Sequence, residues 1–168
     1  GFGLAGVYGQ APNFVNGYAC DDCTASNSNL GLIEVDGYFI RGDWTVQGQL
    51  SYGYQKDAAI TANANGGLQT ASWYGLSTLA AYKFTPRFEG VGRFDYIANS
   101  NNGGGLLGYG ADPGTGIGPD GNLGCDPGVV YIDGCNKGAD RYALSVGVNY
   151  AFNANTTFKA EYRYDWSN

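Results

Sequence analysis

Histidine and methionine are absent from this 168-residue chain, and only 14% of its residues are Asp, Glu, Lys or Arg. A soluble domain carries roughly 25% charged residues. A large part of the surface must therefore be something other than charged. The missing histidine takes away the usual general base of a nucleophilic triad. No run of about 18 apolar residues occurs, so there is no transmembrane helix, and the mean hydropathy of -0.25 agrees. A β-barrel escapes that test, because only every second residue of its strands faces lipid. Basic residues are also few. Nine scattered Lys and Arg stand against fifteen Asp and Glu, for a net charge of -6. With no basic stripe to neutralise phosphates, nucleic acid is not an expected partner. No secretion leader is visible, but the chain opens inside a strand-like stretch and both ends read as trimmed.

What is abundant is glycine, 29 residues, and tyrosine, 14. They fall in a period of two. From Trp44 to Gln55, Trp44, Val46, Gly48, Leu50, Tyr52 and Tyr54 alternate with Thr45, Gln47, Gln49, Ser51, Gly53 and Gln55. One face is apolar and aromatic, the other polar, which predicts a strand. It is longer than the usual globular strand of about 5–6 residues and suits the roughly 9–11 needed to cross a bilayer at a tilt. The pattern recurs around Phe2–Tyr8, Ile33–Phe39, Tyr74–Phe84, Phe88–Tyr96, Tyr142–Phe152 and Phe158–Trp166. About seven strands result, in one segment covering residues 1–168.

The connections alternate in length. Short turns are expected at 42–43, 85–87 and 153–156, rich in Gly, Asp, Asn and Pro. Long loops are expected at about 10–29, 56–69 and 98–140. Outer-membrane barrels segregate loops this way, with short turns periplasmic and long loops outside. The aromatics agree. Phe39, Trp44, Phe84, Phe88, Phe152 and Phe158 lie near the short turns. Tyr8, Tyr52, Tyr54, Tyr74, Tyr96, Tyr142, Tyr164 and Trp166 lie near the long loops, with Val, Leu, Ala and Gly between. Those are two aromatic belts around an aliphatic band. A secreted sandwich, the competing architecture, would concentrate its aromatics mid-strand. The expected fold is therefore all-β, an antiparallel up-and-down transmembrane β-barrel in contact with outer-membrane lipid. Single-chain bacterial barrels have an even strand number, so the odd count predicts further strands and a larger barrel.

The four cysteines form two local pairs, Cys20 with Cys23 and Cys125 with Cys135, in loops rich in Gly and Asp. Disulfides in an oxidising compartment are the expected state. Cys20-Asp-Asp-Cys23 also has the look of half a metal or redox site, but no second close pair completes it. Asp120-Gly-Asn122 with Asp126 does not match the spacing of an EF-hand loop. No metal or cofactor is expected.

Hairpins such as Tyr82-Lys-Phe-Thr-Pro-Arg-Phe88 and Tyr150-Ala-Phe-Asn-Ala-Asn-Thr-Thr-Phe158, with the stretch Trp73–Phe84, resemble those of a porin-like outer-membrane β-barrel family of beta-proteobacteria. The resemblance runs over most strands from about residue 30 onward. It implies a location in the outer membrane and is only weakly specific for a substrate. Such proteins end on a strand with a terminal aromatic, usually Phe. This chain stops at Asp165-Trp-Ser-Asn168, which again predicts strands beyond it.

The polar face supplies the candidate site. Glu34, Asp36, Glu89, Asp95, Glu161 and Asp165 stand against Arg93, Lys159 and Arg163, and Gln47 and Gln49 add uncharged hydrogen-bonding groups. Opposite charges at i and i+2 share a face and can pair, so a charge ladder is expected rather than a catalytic carboxylate pair. Lining a water-filled pore, it would mildly favour cations. Inside a plugged barrel it would only satisfy itself. The expected function is a porin-like, non-enzymatic channel for passive diffusion of small polar solutes or ions. A structural barrel of an envelope assembly, whose long loops contact a partner, is the second expectation; a homo-oligomer is compatible with either.

Overall fold

The computed structural model describes residues 1–13, 27–59, 69–101 and 140–167. They form one antiparallel sheet of seven strands in sequential order. The strands are β1 (Phe2–Pro12), β2 (Asn27–Arg41), β3 (Trp44–Gln55), β4 (Ala71–Thr85), β5 (Phe88–Asn101), β6 (Arg141–Asn153) and β7 (Thr156–Ser167). Among the described residues there is no helix, and β1 and β7 are not paired with one another. The expected all-β, up-and-down arrangement is what the chain adopts. The four cysteines and most of the long connections lie outside the described residues.

Strand ends run further than the hydropathy pattern indicates. β1 continues through Gly9, Gln10, Ala11 and Pro12, opposite Leu30, Asn29, Ser28 and Asn27. Pairing there rests on backbone groups. Side chains that no longer alternate leave it unaffected, and so the extension was invisible to periodicity.

The three turns follow from their residues. Gly42 takes a φ of 59°. It is the first residue of the two-residue turn between Arg41 and Trp44, where a type II′ hairpin requires glycine. At Pro86-Arg87 the Thr85 hydroxyl accepts the N–H groups of Arg87 at 3.3 Å and Phe88 at 3.0 Å. At the last turn Asn153 Oδ1 accepts the Asn155 N–H at 2.9 Å, closing an Asx turn. The last two hairpins each carry a register shift just before the turn, between Lys83 and Thr85 and between Ala151 and Asn153. In each case a phenylalanine, Phe84 or Phe152, is the unpaired residue, and both are exposed. A bulge leaves its extra residue out of the ladder; both phenylalanines stay on the aromatic face that the alternation gives them, at the end that carries the short turns.

Burial is inverted relative to a soluble sandwich. The face carrying Leu4, Val35, Leu50, Val146 and Tyr164 is open, with Leu50 61% exposed. Buried residues such as Gln55, Trp73, Ala81, Ala143 and Ser145 lie on the opposite, polar face or at its rim. A contiguous apolar face of this extent marks a membrane or protein contact. The alternation and the two aromatic belts identify the contact as lipid. Ring pairs tie the belts together. At the long-loop end, Tyr142 stacks on Tyr96 with centroids 4.8 Å apart and on Trp166 at 5.3 Å. At the turn end, Tyr82 lies 4.7 Å from Trp44 and 5.1 Å from Phe84.

Candidate functional site

Every residue assigned to the polar face falls on one side of the sheet, because the register keeps the alternation in phase across all the strand pairs. The pairing arranges them in rows. Asp36, Gln49, Ser77, Asp95, Ala143 and Asp165 are successive cross-strand partners. The adjacent row, one step nearer the short turns, holds Tyr38, Gln47, Leu79, Arg93, Ser145 and Arg163. A row with three carboxylates thus lies beside a row with two guanidiniums.

Two contacts join the rows along single strands. Arg93 Nε donates to Asp95 Oδ1 at 3.0 Å, and that carboxylate also accepts the Ser77 hydroxyl at 2.6 Å. Arg163 grips Asp165 in a fork, with Nε at 3.0 Å from both oxygens and Nη2 at 2.8 Å from Oδ1. Bidentate geometry of this kind fixes both partners. Nearer the turns, Asn149 Nδ2 donates to Glu89 Oε1 at 2.7 Å. Two pairs of opposite charge, Arg93–Asp95 and Arg163–Asp165, are thus in contact on this face. Glu34, Asp36 and Glu161 differ: none of them carries a hydrogen bond or ion pair among the described residues.

Four further residues belong to the polar face. Lys83 and Arg141 share the polar face, opposite Glu89 and Ile97. With them, five bases meet the six acids, so the negative excess narrows from three to one. Tyr38 and Ser77 also stand in the polar rows. The alternation placed Tyr38 there, but its aromatic ring gave no reason to single it out.

The long-loop end of this face carries most of the buried residues. Trp73, 8% exposed, gathers Ala58, Ala59, Ala71 and Leu30. Its indole lies over Gly53, where a Cβ would collide with it. The amide of Gln55 donates to the carbonyls of Ala11 at 3.3 Å and Pro12 at 3.1 Å and to the Ser28 hydroxyl at 3.0 Å. Asn13 Nδ2 donates to the Asp57 carbonyl at 2.8 Å. Across the sheet Asp140, 5% exposed, accepts the Tyr96 hydroxyl at 3.1 Å and the Asn99 N–H at 3.2 Å. These bonds tether the strand ends where the long connections begin.

Between the rows lies a polar hollow of about 410 Å³, lined by Glu34, Asp36, Tyr38, Gln47, Gln49 and Arg93 among others. Among the described residues no group of His, Cys, Asp and Glu could hold a metal ion.

A family model described as "Putative beta-barrel porin-2, OmpL-like" matches residues 5–168. No curated protein and no solved structure matches the chain. The chain belongs to that porin family, and its place is the outer membrane. The match carries the family and not a bacterial class.

Proposed function

We propose that, as a member of this porin family, the chain forms wall of a water-filled outer-membrane channel through which small polar solutes and ions diffuse passively. The polar face is the lumen face. The observation that carries the reading is the one-sidedness of charge. All the mid-strand carboxylates, lysines and arginines share the face opposite the exposed aromatic band. A charge on the lipid side at the midplane would cost about 2–4 kcal/mol, whereas in a wet lumen it is solvated. The reading is of a channel and not of an enzyme. Short turns lie on the periplasmic side and long connections outside, as in other barrels of this kind.

Six carboxylates stand against five bases on this face, and Glu34 and Asp36 have no ion pair among the described residues, so the lumen mildly favours cations. In the loops outside, we propose the bridges Cys20–Cys23 and Cys125–Cys135, in keeping with an oxidising compartment. The deciding experiment is ion conductance of the full-length protein in planar bilayers. Discrete conductance steps support the channel. A folded barrel that gives none refutes it.

A further inference from the structure

The hollow on the polar face is not a simple charged wall. Gln47 and Gln49 form its middle, two residues apart on β3 and about 7 Å from one another along the strand. On one flank, Tyr38 and Asp36 lean away over β1. A Cβ at Gly1 would meet the Tyr38 ring at 2.6 Å, and one at Gly3 would collide with the Asp36 carboxylate. Absence of side chains at both glycines lets these groups lie flat and leaves the two amides uncovered; Gln47 and Gln49 are both exposed. On the other flank Arg93 is oriented through Nε by Asp95, which leaves its terminal N–H groups without a partner among the described residues. Its volume, about 410 Å³, falls within the roughly 300–1,000 Å³ of small-molecule sites.

The donors and acceptors select the ligand chemistry. Glu34 and Asp36 only accept, Arg93 only donates, and each glutamine amide does both. An inorganic cation or an amine would use the carboxylates and leave the amide and guanidinium N–H groups unmatched. A phosphate or carboxylate would be repelled by Glu34 and Asp36. Hydroxyls, which donate and accept at once, match the whole set. Tyr38, 54% exposed, adds a flat apolar surface with a wet hydroxyl. Such a ring suits the C–H face of a sugar.

We propose that this hollow is a subsite for a neutral polyhydroxylated solute of monosaccharide size, held in transit by Gln47 and Gln49 between the Glu34/Asp36 flank and Arg93. The proposal rests on the channel reading for its role in transit, but the binding chemistry stands apart from it.

The test uses the full-length protein with glucose as probe and triethylene glycol as a size-matched control poor in hydroxyls. Glucose should lower the ion conductance along a saturating curve, while triethylene glycol lowers it only in proportion to viscosity. In the Gln47→Leu/Gln49→Leu variant, with block expressed relative to its own sugar-free conductance, half-saturation should rise about tenfold, as expected for two lost hydrogen-bonding partners. Saturation-transfer NMR on the folded protein in detergent reads glucose contact directly and should fall in the same variant. If the double variant does not fold, Gln47→Asn and Gln49→Asn, each shorter by one methylene, should weaken block by a smaller factor. Identical linear declines for glucose and triethylene glycol, with no saturation transfer, overturn the subsite while leaving the channel standing. Wild-type saturation retained in the variants also overturns it. A protein that does not conduct, yet transfers saturation to glucose in a glutamine-dependent way, refutes the channel and keeps the site. One that does neither overturns both.

Discussion

Gly53 and Gly48 sit five residues apart on β3 and would respond differently to the same change. A Cβ at Gly53 would fall inside the Trp73 indole, whereas one at Gly48 meets nothing within 4 Å. Gly53→Ala must displace a buried ring and should destabilise the protein by about 1–3 kcal/mol. Gly48→Ala should be close to neutral, and equilibrium urea unfolding in lipid vesicles would separate the two. Charge gives a second contrast at this level. Asp95 is neutralised locally by Arg93, whereas Glu34 and Asp36 have no such partner among the described residues. Glu34→Gln with Asp36→Asn should therefore lower cation preference, read as a reversal potential closer to zero in a salt gradient. An unchanged potential would mean that these carboxylates do not face the ion path. The polar residues themselves were legible in the sequence. Which carboxylates lack a partner was not, since pairing depends on the rotamers of Arg93 and Arg163 and on Ser77 across the strand.

Each strand works as a two-sided ribbon, and a substitution is felt according to its side. Leu50 and Gln49 are neighbours in β3. Leu50 faces outward between Val35 and Leu76, and Gln49 faces inward between Asp36 and Ser77. Leu50→Arg should cost about 2–4 kcal/mol of membrane-folded stability, and Gln49→Arg far less. Equal losses in vesicle unfolding would contradict the assignment of faces. Alternation made this legible, because the side-chain period of two is a local property of extended backbone. It failed where the residues stop alternating. β1 through Pro12 and the start of β2 at Asn27 are held by ladder hydrogen bonds between Gly, Gln, Ser and Asn residues. The bulges that free Phe84 and Phe152 were equally hidden. A bulge changes the count of residues between partners and not the composition of either strand.

For the molecule as a whole, family membership and the exposed apolar face place the chain in the outer membrane. Fractionation of cells making the full-length protein should recover it there. Folding should show as a heat-sensitive shift in electrophoretic mobility without boiling. The loops offer a chemical check on the same location. Intact mass before and after reduction should differ by about four protons if Cys20–Cys23 and Cys125–Cys135 are both bridged. A mass unchanged by reduction would leave four thiols and remove the disulfide proposal.

Local rules in this chain settle the strands, their two faces, the positions of the turns and the outward direction of the aromatics. Each follows from backbone geometry and a period of two, which neighbouring residues express without help from distant ones. Register belongs to the assembled sheet. It places Asp36, Asp95 and Asp165 in one row and Arg93 and Arg163 in the next, brings Lys83 opposite Glu89, and lets Tyr38 lie over Gly1 so that Gln47 and Gln49 stand open. Those neighbours are far apart in sequence, and only cross-strand hydrogen bonding decides which of them meet.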